Sequence, residues 1–147
     1  MLLRARDIMD TTFLALDEET DALVAAKEMV AQRKGYAVVT RGGPDRLTGI
    51  VTEWDFLEKL VAAGVSPAGL RLKDLASSSV RSCSPETPTD EVVAMMSSLG
   101  VRRVVVRVED RVVGVITAKN VLAAFRQYVD QLSQQIAAYQ SNQTPLG

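Results

Sequence analysis

Apolar residues recur at helical spacing in two separate stretches of the chain. Residues 21–34 carry Leu23, Ala26 and Val30 three or four positions apart, the spacing that places side chains on one face of a helix. Residues 90–100 repeat this spacing with Val92, Val93, Met96 and Leu99. The pattern therefore predicts an amphipathic helix in each stretch, with an apolar face that needs a sheet to cover it.

Runs of β-branched residues follow each predicted helix in pairs and indicate two hairpins. The four runs are residues 36–40, 49–51, 103–108 and 112–116. Turn-forming residues join the members of each pair. A second helix is predicted after Thr52 and again after Thr117. Each unit is therefore predicted to contain a helix, two strands and a second helix, in that order. Residues 64–69, rich in Gly and Pro, separate the two units.

The two units align with each other, which indicates an internal duplication. Asp7 matches Asp74 at an offset of 67 positions. The offset falls to 65 past the first strand of the hairpin, because the connection between the two strands is two residues longer in the first unit. Two long copies suggest a pseudo-twofold pair, because a solenoid needs at least three shorter repeats. We predict an α/β (α+β) fold in which each repeat packs a small sheet on two helices, with repeats at residues 5–66 and 67–128.

The chain continues past the second repeat with a further amphipathic pattern. Residues 129–147 form this extension, and apolar residues recur every three or four positions through a segment without Gly or Pro that ends near Ser141 and Asn142. The stripe consists of Val121, Phe125, Tyr128, Leu132, Ile136 and Tyr139. Such a helix must bury its stripe, either on its own domain or against a second copy.

Composition limits the chemistry that this chain can perform. Its 147 residues are 47% apolar with a net charge of −1, so a core is feasible and a general attraction for nucleic acid is not expected. No apolar run approaches the ~18 residues of a membrane span. Histidine is absent and Cys83 is the single cysteine, which argues against a transition-metal site and against Ser- or Cys-based catalysis. We expect a soluble, cytoplasmic protein without nucleic-acid or membrane partners.

One short motif occurs at the start of the second helix of each unit. It consists of a glycine, two β-branched residues, a threonine, two variable residues and a carboxylate or its amide, from Gly49 to Asp55 and from Gly114 to Asn120. In one interpretation the threonine and the last residue cap the helix. In the other, the hydroxyl and the helix start bind phosphate, and the carboxylate accepts hydrogen bonds from ribose hydroxyls. Both interpretations stay open at this point.

The order of elements, with this motif occurring twice, resembles a pair of cystathionine-beta-synthase-type (CBS) domains, a Bateman module, over residues 5 to 128. The resemblance implies a regulatory module that binds AMP, ADP, ATP or S-adenosylmethionine between the repeats and has no catalytic cofactor. It places Thr52 and Thr117 at phosphates and Asp55 at the ribose. Asn120 departs from the pattern, and the second site should hold ribose less well because an amide carries no charge.

The same resemblance extends the candidate site to the residues that enter the strands. Cations there would neutralise ligand phosphates, although Arg102 and Arg103 should point to opposite faces of an extended strand, so that only one reaches the ligand. Apolar side chains and strand entries would hold the adenine. The further candidates are Lys34, Gly35, Tyr36, Arg102, Arg103, Thr12, Ile50, Val51, Ser79, Val80, Val115 and Ile116. Solvated charges at strand ends and ordinary core packing are the alternative explanations.

Two other classes of function compete with this interpretation. A CBS pair could dimerise and dock on an unknown regulated protein without a nucleotide, which Asn120 favours and the pairing of Thr52 with Asp55 disfavours. A carboxylate-based enzyme would need two converging acidic groups, and Glu53 and Asp55 diverge on a helix. We therefore expect no enzymatic activity. Because related modules commonly dimerise through helices, we expect a homodimer that uses the C-terminal stripe.

Overall fold

The computed structural model describes residues 3–142 and contains two similar three-stranded sheets with helices packed on them. The strands are β1 (Ala15–Asp17), β2 (Tyr36–Thr40) and β3 (Leu47–Thr52) in one sheet, and β4 (Ser82–Cys83), β5 (Arg103–Val108) and β6 (Arg111–Thr117) in the other. The helices are α1 (Ala5–Ile8), α2 (Ala22–Ala31), α3 (Glu53–Phe56), α4 (Leu72–Leu75), α5 (Thr89–Leu99) and α6 (Ala118–Asn142), and α3 continues as a π-helical turn (Leu57–Val61). The predicted mixed fold with two repeats and a C-terminal helix is confirmed.

Each sheet contains one strand more than the predicted order of helix, strand, strand, helix. β1 pairs in parallel with β2, and β4 pairs in parallel with β5, whereas the hairpin partners β3 and β6 are antiparallel. β1 has three residues and β4 has two. Strands this short carry too few alternating positions to be recognised from a hydrophobic pattern.

The predicted helices form, but α2 buries a different face from the predicted one, and α5 leaves Val93 and Leu99 of its predicted face exposed. The Asp21 side chain caps α2 by accepting hydrogen bonds from two backbone N–H groups of its first turn. Leu23 and Val30 are 47% and 78% exposed, so the prediction that they face the sheet is wrong. The buried residues of α2 are Ala22, Ala25 and Met29. Alanine side chains let the helix approach the sheet closely. The close packing gained in this way outweighs the apolar area that the larger side chains on the neighbouring face would bury.

The two repeats exchange their first helices. Ala5 of α1 lies in the core of the second repeat, with Val104 and Ile116, whereas Leu72 and Leu75 of α4 lie in the core of the first repeat. Backbone hydrogen bonds hold each exchanged segment where it crosses the sheet of the other repeat. The Asp10 backbone pairs with Val115, and the Ser77 backbone pairs with Ile50. The packed units therefore differ from the sequence repeats in their first segments.

The glycines of the repeated motif lie where these exchanged segments cross the sheets. A Cβ atom added to Gly49 would be 2.7 Å from the carbonyl oxygen of Ser77. A Cβ atom added to Gly114 would be 2.5 Å from the sulfur of Met9. Both positions thus require glycine because another segment approaches the backbone closely.

A third apolar cluster joins the two sheets. Val38 of β2 and Val105 of β5 meet in it, together with Tyr36 and Val115. Because side chains alternate along a strand, the neighbours of Val38 on β2 point to the opposite side, toward the helices of the first repeat. Every residue of β2 is buried, so the repeats form a continuous hydrophobic interior and the space available to a ligand lies at its margins.

Helix α6 runs from Ala118 to Asn142, and the last part of the predicted extension, residues 143–147, lies outside the described residues. The structure divides the predicted stripe between two faces. Val121 packs on the core of the second repeat and Tyr128 is half-buried. Phe125, Leu132, Ile136 and Tyr139 are exposed. Across residues 3–142, no helix combines the length and the apolar character needed to cross a membrane.

Candidate functional site

Two clefts lie between the repeats, and the internal pseudo-symmetry relates them. The start of α3 and residues 79–81 and 100–103 form the first cleft, of about 520 Å³. The start of α6, Asp10 and residues 33–36 form the second, of about 710 Å³. Residues 100–103 and 33–36 correspond in the sequence repeat. Both volumes are in the range of small-molecule sites.

Asp55 of the first motif caps its own helix. Its Oδ2 accepts a 2.8 Å hydrogen bond from the Thr52 backbone N–H and a 3.3 Å bond from the Thr52 hydroxyl. Its Oδ1 lies 3.1 Å from Lys59 Nζ, and the side chain is 16% exposed. Thr52 lines the first cleft, whereas Asp55 is not among its lining residues. Asp55 therefore acts as a helix cap in this copy of the motif. Its contact with a ribose stays a prediction.

The second motif makes a reciprocal cap with its amide. Asn120 Oδ1 accepts hydrogen bonds from the Thr117 backbone N–H at 2.7 Å and from the Thr117 hydroxyl at 3.0 Å. The Asn120 backbone N–H donates to Thr117 Oγ1 at 3.4 Å. Both residues line the second cleft. Since these hydrogen bonds use only the oxygen of the amide, they match the role of one carboxylate oxygen in the first motif.

Basic side chains line both clefts. Arg102 and Arg103 border each of them, which differs from the expectation that only one of the pair faces the ligand. Strand alternation does not apply to Arg102, because β5 begins only at Arg103. Arg81 adds a third guanidinium to the first cleft, and sequence reasoning missed it although it directly follows the predicted Ser79 and Val80.

Tyr36 and Arg103 form a buried pair in the wall of the second cleft. Arg103 Cζ lies 5.4 Å from the centre of the Tyr36 ring, within reach of a cation–π interaction. Burial, and then the charge of Asp10, raise the pKa of Tyr36 to about 12. Burial also lowers the pKa of Arg103, an effect that Glu53 opposes. In the described part of the chain, Tyr36 Oη and Arg103 Nε are buried without a hydrogen-bond partner, so this wall has polar groups still to be satisfied.

Asp10 organises the second cleft, although sequence reasoning did not select it. Lys34 Nζ is 2.7 Å from its Oδ2, and the Thr12 backbone N–H and hydroxyl donate to its Oδ1 at 2.8 and 2.7 Å. These hydrogen bonds, led by that from Lys34, lower the pKa of Asp10 to about 2. Two predicted ligand contacts, Lys34 and Thr12, thus bind Asp10 in the structure. The matching position of the second repeat is Ser77, so the duplication gave no signal for this carboxylate.

The Asp10 ion pair should make stability depend on acid pH. The folded state holds the pKa of Asp10 at about 2 against an ordinary 3.8, so its stabilising contribution is present above about pH 4 and is lost as the pH falls toward 2. Asp10→Asn should lower the free energy of unfolding at pH 7 by about 1–2 kcal/mol. Urea unfolding of both proteins should show this difference shrinking by about 1 kcal/mol at pH 3. A difference that is equal at both pH values would contradict the assigned ion pair.

The other predicted site residues divide into those that line a cleft and those that are buried in a core. Ile50, Ser79 and Val80 line the first cleft, and Gly35 and Tyr36 line the second. Three predicted apolar contacts, Val51, Val115 and Ile116, are buried in the cores and line neither cleft. Alternation explains the contrast between Ile50 and Val51, which point to opposite sides of β3. Val115 is the counterpart of Ile50 in the second repeat and is buried with it in the cluster between the sheets.

Two apolar residues of the first cleft escaped the sequence analysis. Trp54 and Leu57 line it and are exposed. Trp54 occupies one of the variable positions of the motif, where an aromatic residue next to a predicted helix start was the available signal. These two side chains add apolar surface to a cleft that its arginines also line.

Comparison with known proteins gives consistent results. The family model for the CBS domain matches residues 5–62 and 72–127. Hypoxic response protein 1 of Mycobacterium tuberculosis is 32% identical over 117 residues, which cover 80% of this chain and 81% of that protein. A solved structure of Hypoxic Response Protein I with two coordinated zinc ions is 29% identical with a TM-score of 0.72, covering 82% of this chain and 97% of that one. The CBS domain pair of protein MJ0100, solved with 5′-methylthioadenosine and S-adenosyl-L-methionine, is 21% identical with a TM-score of 0.76, covering 87% of this chain and 99% of that one.

Proposed function

Since this chain belongs to the CBS domain family, we propose that it is a regulatory module whose first cleft binds an adenosine-containing ligand. CBS domain pairs are commonly regulatory ligand-binding modules, and the MJ0100 pair was solved with two adenosine-containing molecules. The ligand class of this chain is proposed by analogy with that pair. The residues of the first cleft support binding of the ligand there.

The observation that carries the proposal is the convergence of guanidinium groups and apolar side chains in the first cleft. Arg81, Arg102 and Arg103 line it together with Ile50, Val80 and Trp54. Guanidinium groups bind phosphate through charge-assisted, often paired hydrogen bonds. An exposed tryptophan and aliphatic side chains offer a flat surface for a purine ring. An adenine nucleotide presents both of these chemistries at once.

Asp55 can receive the ribose without leaving its helix cap. Its Oδ2 accepts hydrogen bonds from Thr52, while Oδ1 has Lys59 as its partner. A carboxylate has about four acceptor directions, so hydrogen bonds from ribose hydroxyls can be added. The Thr52 hydroxyl, which lines the cleft, would then face the phosphate side of the ligand.

The direct test is calorimetric titration of the full chain with AMP, ATP and S-adenosylmethionine, with CMP as a control for the base. Binding of at least one adenosine derivative and no binding of CMP is expected. If none of the three adenosine compounds binds, the proposal fails. The alternative function, a nucleotide-independent adaptor or dimerisation module that docks on a regulated protein, would then be preferred, and the exposed apolar residues of α6 already favour an interaction role.

The two clefts should differ in affinity for the nucleotide. A hydrogen bond to a charged group contributes about 1.5–3 kcal/mol and a neutral one about 0.5–1.5. If Asp55 contacts the ribose in the first cleft and Asn120 does so in the second, the first cleft should bind roughly fivefold more tightly. Lys34 is also paired with Asp10 in the second cleft, which lowers its attraction for phosphate. Asn120→Asp should therefore raise the stoichiometry measured by calorimetry from about one AMP per chain toward two. Two equal sites in the wild-type protein would refute this ranking.

Zinc forms no part of the proposal, although a related structure contains it. The sequence has no histidine and a single cysteine. Within residues 3–142, no group of three or more His, Cys, Asp or Glu side chains is arranged to hold a metal ion. The proposed regulatory role therefore includes no zinc site.

A further inference from the structure

Helix α6 presents an apolar seam that its own repeat leaves uncovered. The seam consists of Leu122, Phe125, Val129, Leu132, Ile136 and Tyr139, which are 39% to 67% exposed. The adjacent face, with Val121, Ala124 and Tyr128, is half-buried and supplies the contacts of α6 with the second repeat. The packing of α6 on its own repeat therefore uses a different set of side chains. A seam of six large apolar residues is unusual on the surface of a monomer.

The spacing of the seam is that of a two-stranded coiled coil. Its residues follow one another at intervals of three, four, three, four and three positions. In heptad notation, Leu122, Val129 and Ile136 occupy a positions, and Phe125, Leu132 and Tyr139 occupy d positions. In parallel coiled coils, β-branched residues at a with leucine at d favour two strands over three or four. Two of the three a positions and the central d position of this seam match that preference.

The outer part of α6 also needs a partner to be stable. Every residue from Val129 to Asn142 is exposed, so this segment extends ~20 Å without support from the repeats. Residues 131–142 contain no charged side chain and thus no ion pairs along the helix. Isolated helices shorter than about 12–15 residues are marginal in water. We propose that α6 pairs in parallel with α6 of a second copy of this chain, forming a short two-stranded coiled coil.

The flanks of the seam permit an identical helix as the partner. Among the e and g positions from 126 to 142, Arg126 is the single charged residue. Twofold pairing therefore brings no rows of like charge together, and the surface offers little to select a charged partner. In a parallel pair each a residue meets the same residue of the other copy, because the twofold axis then runs along the helices. This inference is independent of the ligand proposed for the first cleft.

The oligomeric state of two matched charge variants tests the pairing. Ile136→Asp places a carboxylate in the seam and should weaken self-association, measured by light scattering over a concentration series, by roughly a hundredfold. Gln134→Asp adds the same charge at an f position on the opposite face and should leave the dimer unchanged. A wild-type chain that is monomeric at micromolar concentration, or an Ile136→Asp variant that dimerises like wild type, would overturn the proposal. Circular dichroism of both variants checks that the repeats stay folded.

Cysteine cross-linking tests the orientation of the pair. In a Cys83→Ala background, Ile136→Cys should form a disulfide-linked dimer on mild oxidation, because parallel helices bring the two a positions side by side. Gln134→Cys should not cross-link. In an antiparallel pair an a position faces a d position, so Ile136→Cys would cross-link only when mixed with Phe125→Cys. That result would overturn the parallel arrangement.

Discussion

Asp55→Ala should weaken the binding of AMP by roughly 10- to 100-fold while leaving the overall fold intact. A carboxylate that accepts hydrogen bonds from ribose hydroxyls contributes about 1.5–3 kcal/mol, and each 1.4 kcal/mol corresponds to about a tenfold change in affinity. Calorimetric titration of both proteins with AMP measures the loss. Unchanged affinity would remove Asp55 from the site.

The same substitution also removes a helix cap, so it needs a matched control. Asp74 caps α4 in the same manner, accepting a 2.9 Å hydrogen bond from the Arg71 backbone N–H, and it lies outside both copies of the repeated motif. Asp74→Ala should therefore lower stability without changing AMP affinity. Equal losses of affinity in the two variants would assign the effect of Asp55→Ala to capping, not to ribose binding.

Gly49→Ala should lower the free energy of unfolding by about 1–3 kcal/mol, the usual cost of forcing extra volume into a packed site. The added Cβ would lie 2.7 Å from the Ser77 carbonyl oxygen. That oxygen cannot move aside easily, because it accepts a 3.0 Å hydrogen bond from the Ile50 backbone N–H. Urea denaturation of the variant and the wild type measures the change.

Gly35→Ala provides the comparison for this effect. A Cβ at Gly35 would approach the flexible ends of Arg103 and Glu53, at 3.0 and 3.1 Å, and these side chains can shift. Its destabilisation should therefore be clearly smaller. If both variants lose the same small amount of stability, the crossing of residue 77 over β3 is not what requires glycine at position 49.

Local sequence patterns predicted the helices and strands of this fold better than they predicted which of them pack together. The duplication, both hairpins and the helix starts follow from features within a few residues, such as the Asp21 cap and the β-branched strands. Periodicity indicated helix α2 but selected Leu23 and Val30 for burial, because it weights side-chain size and ignores how closely alanines let a helix approach a sheet. The exchange of α1 and α4 between repeats left no local signal, since each helix has only four residues and would bury the same two apolar side chains on either repeat.

The candidate site shows the same limit. Thr52, Ile50, Ser79 and Val80 were predicted and line one cleft, because the motif and the strand entries are adjacent to it in any such fold. Asp10 was missed, since its partner Lys34 lies far along the chain and the repeat places a serine at the matching position. The duplication could not reveal contacts between residues that are far apart in the sequence and differ between the two repeats.

The exchange of first helices bears on the evolutionary history of this chain. Each sheet is completed by a helix that belongs, by sequence, to the other repeat, so a single ancestral repeat on its own would have lacked part of its core. Two copies of such an ancestor could satisfy both cores by swapping that helix symmetrically. Gene duplication and fusion would then have converted an intermolecular exchange into an intramolecular one. The present chain retains that dependence, and its halves should unfold together in a single cooperative transition.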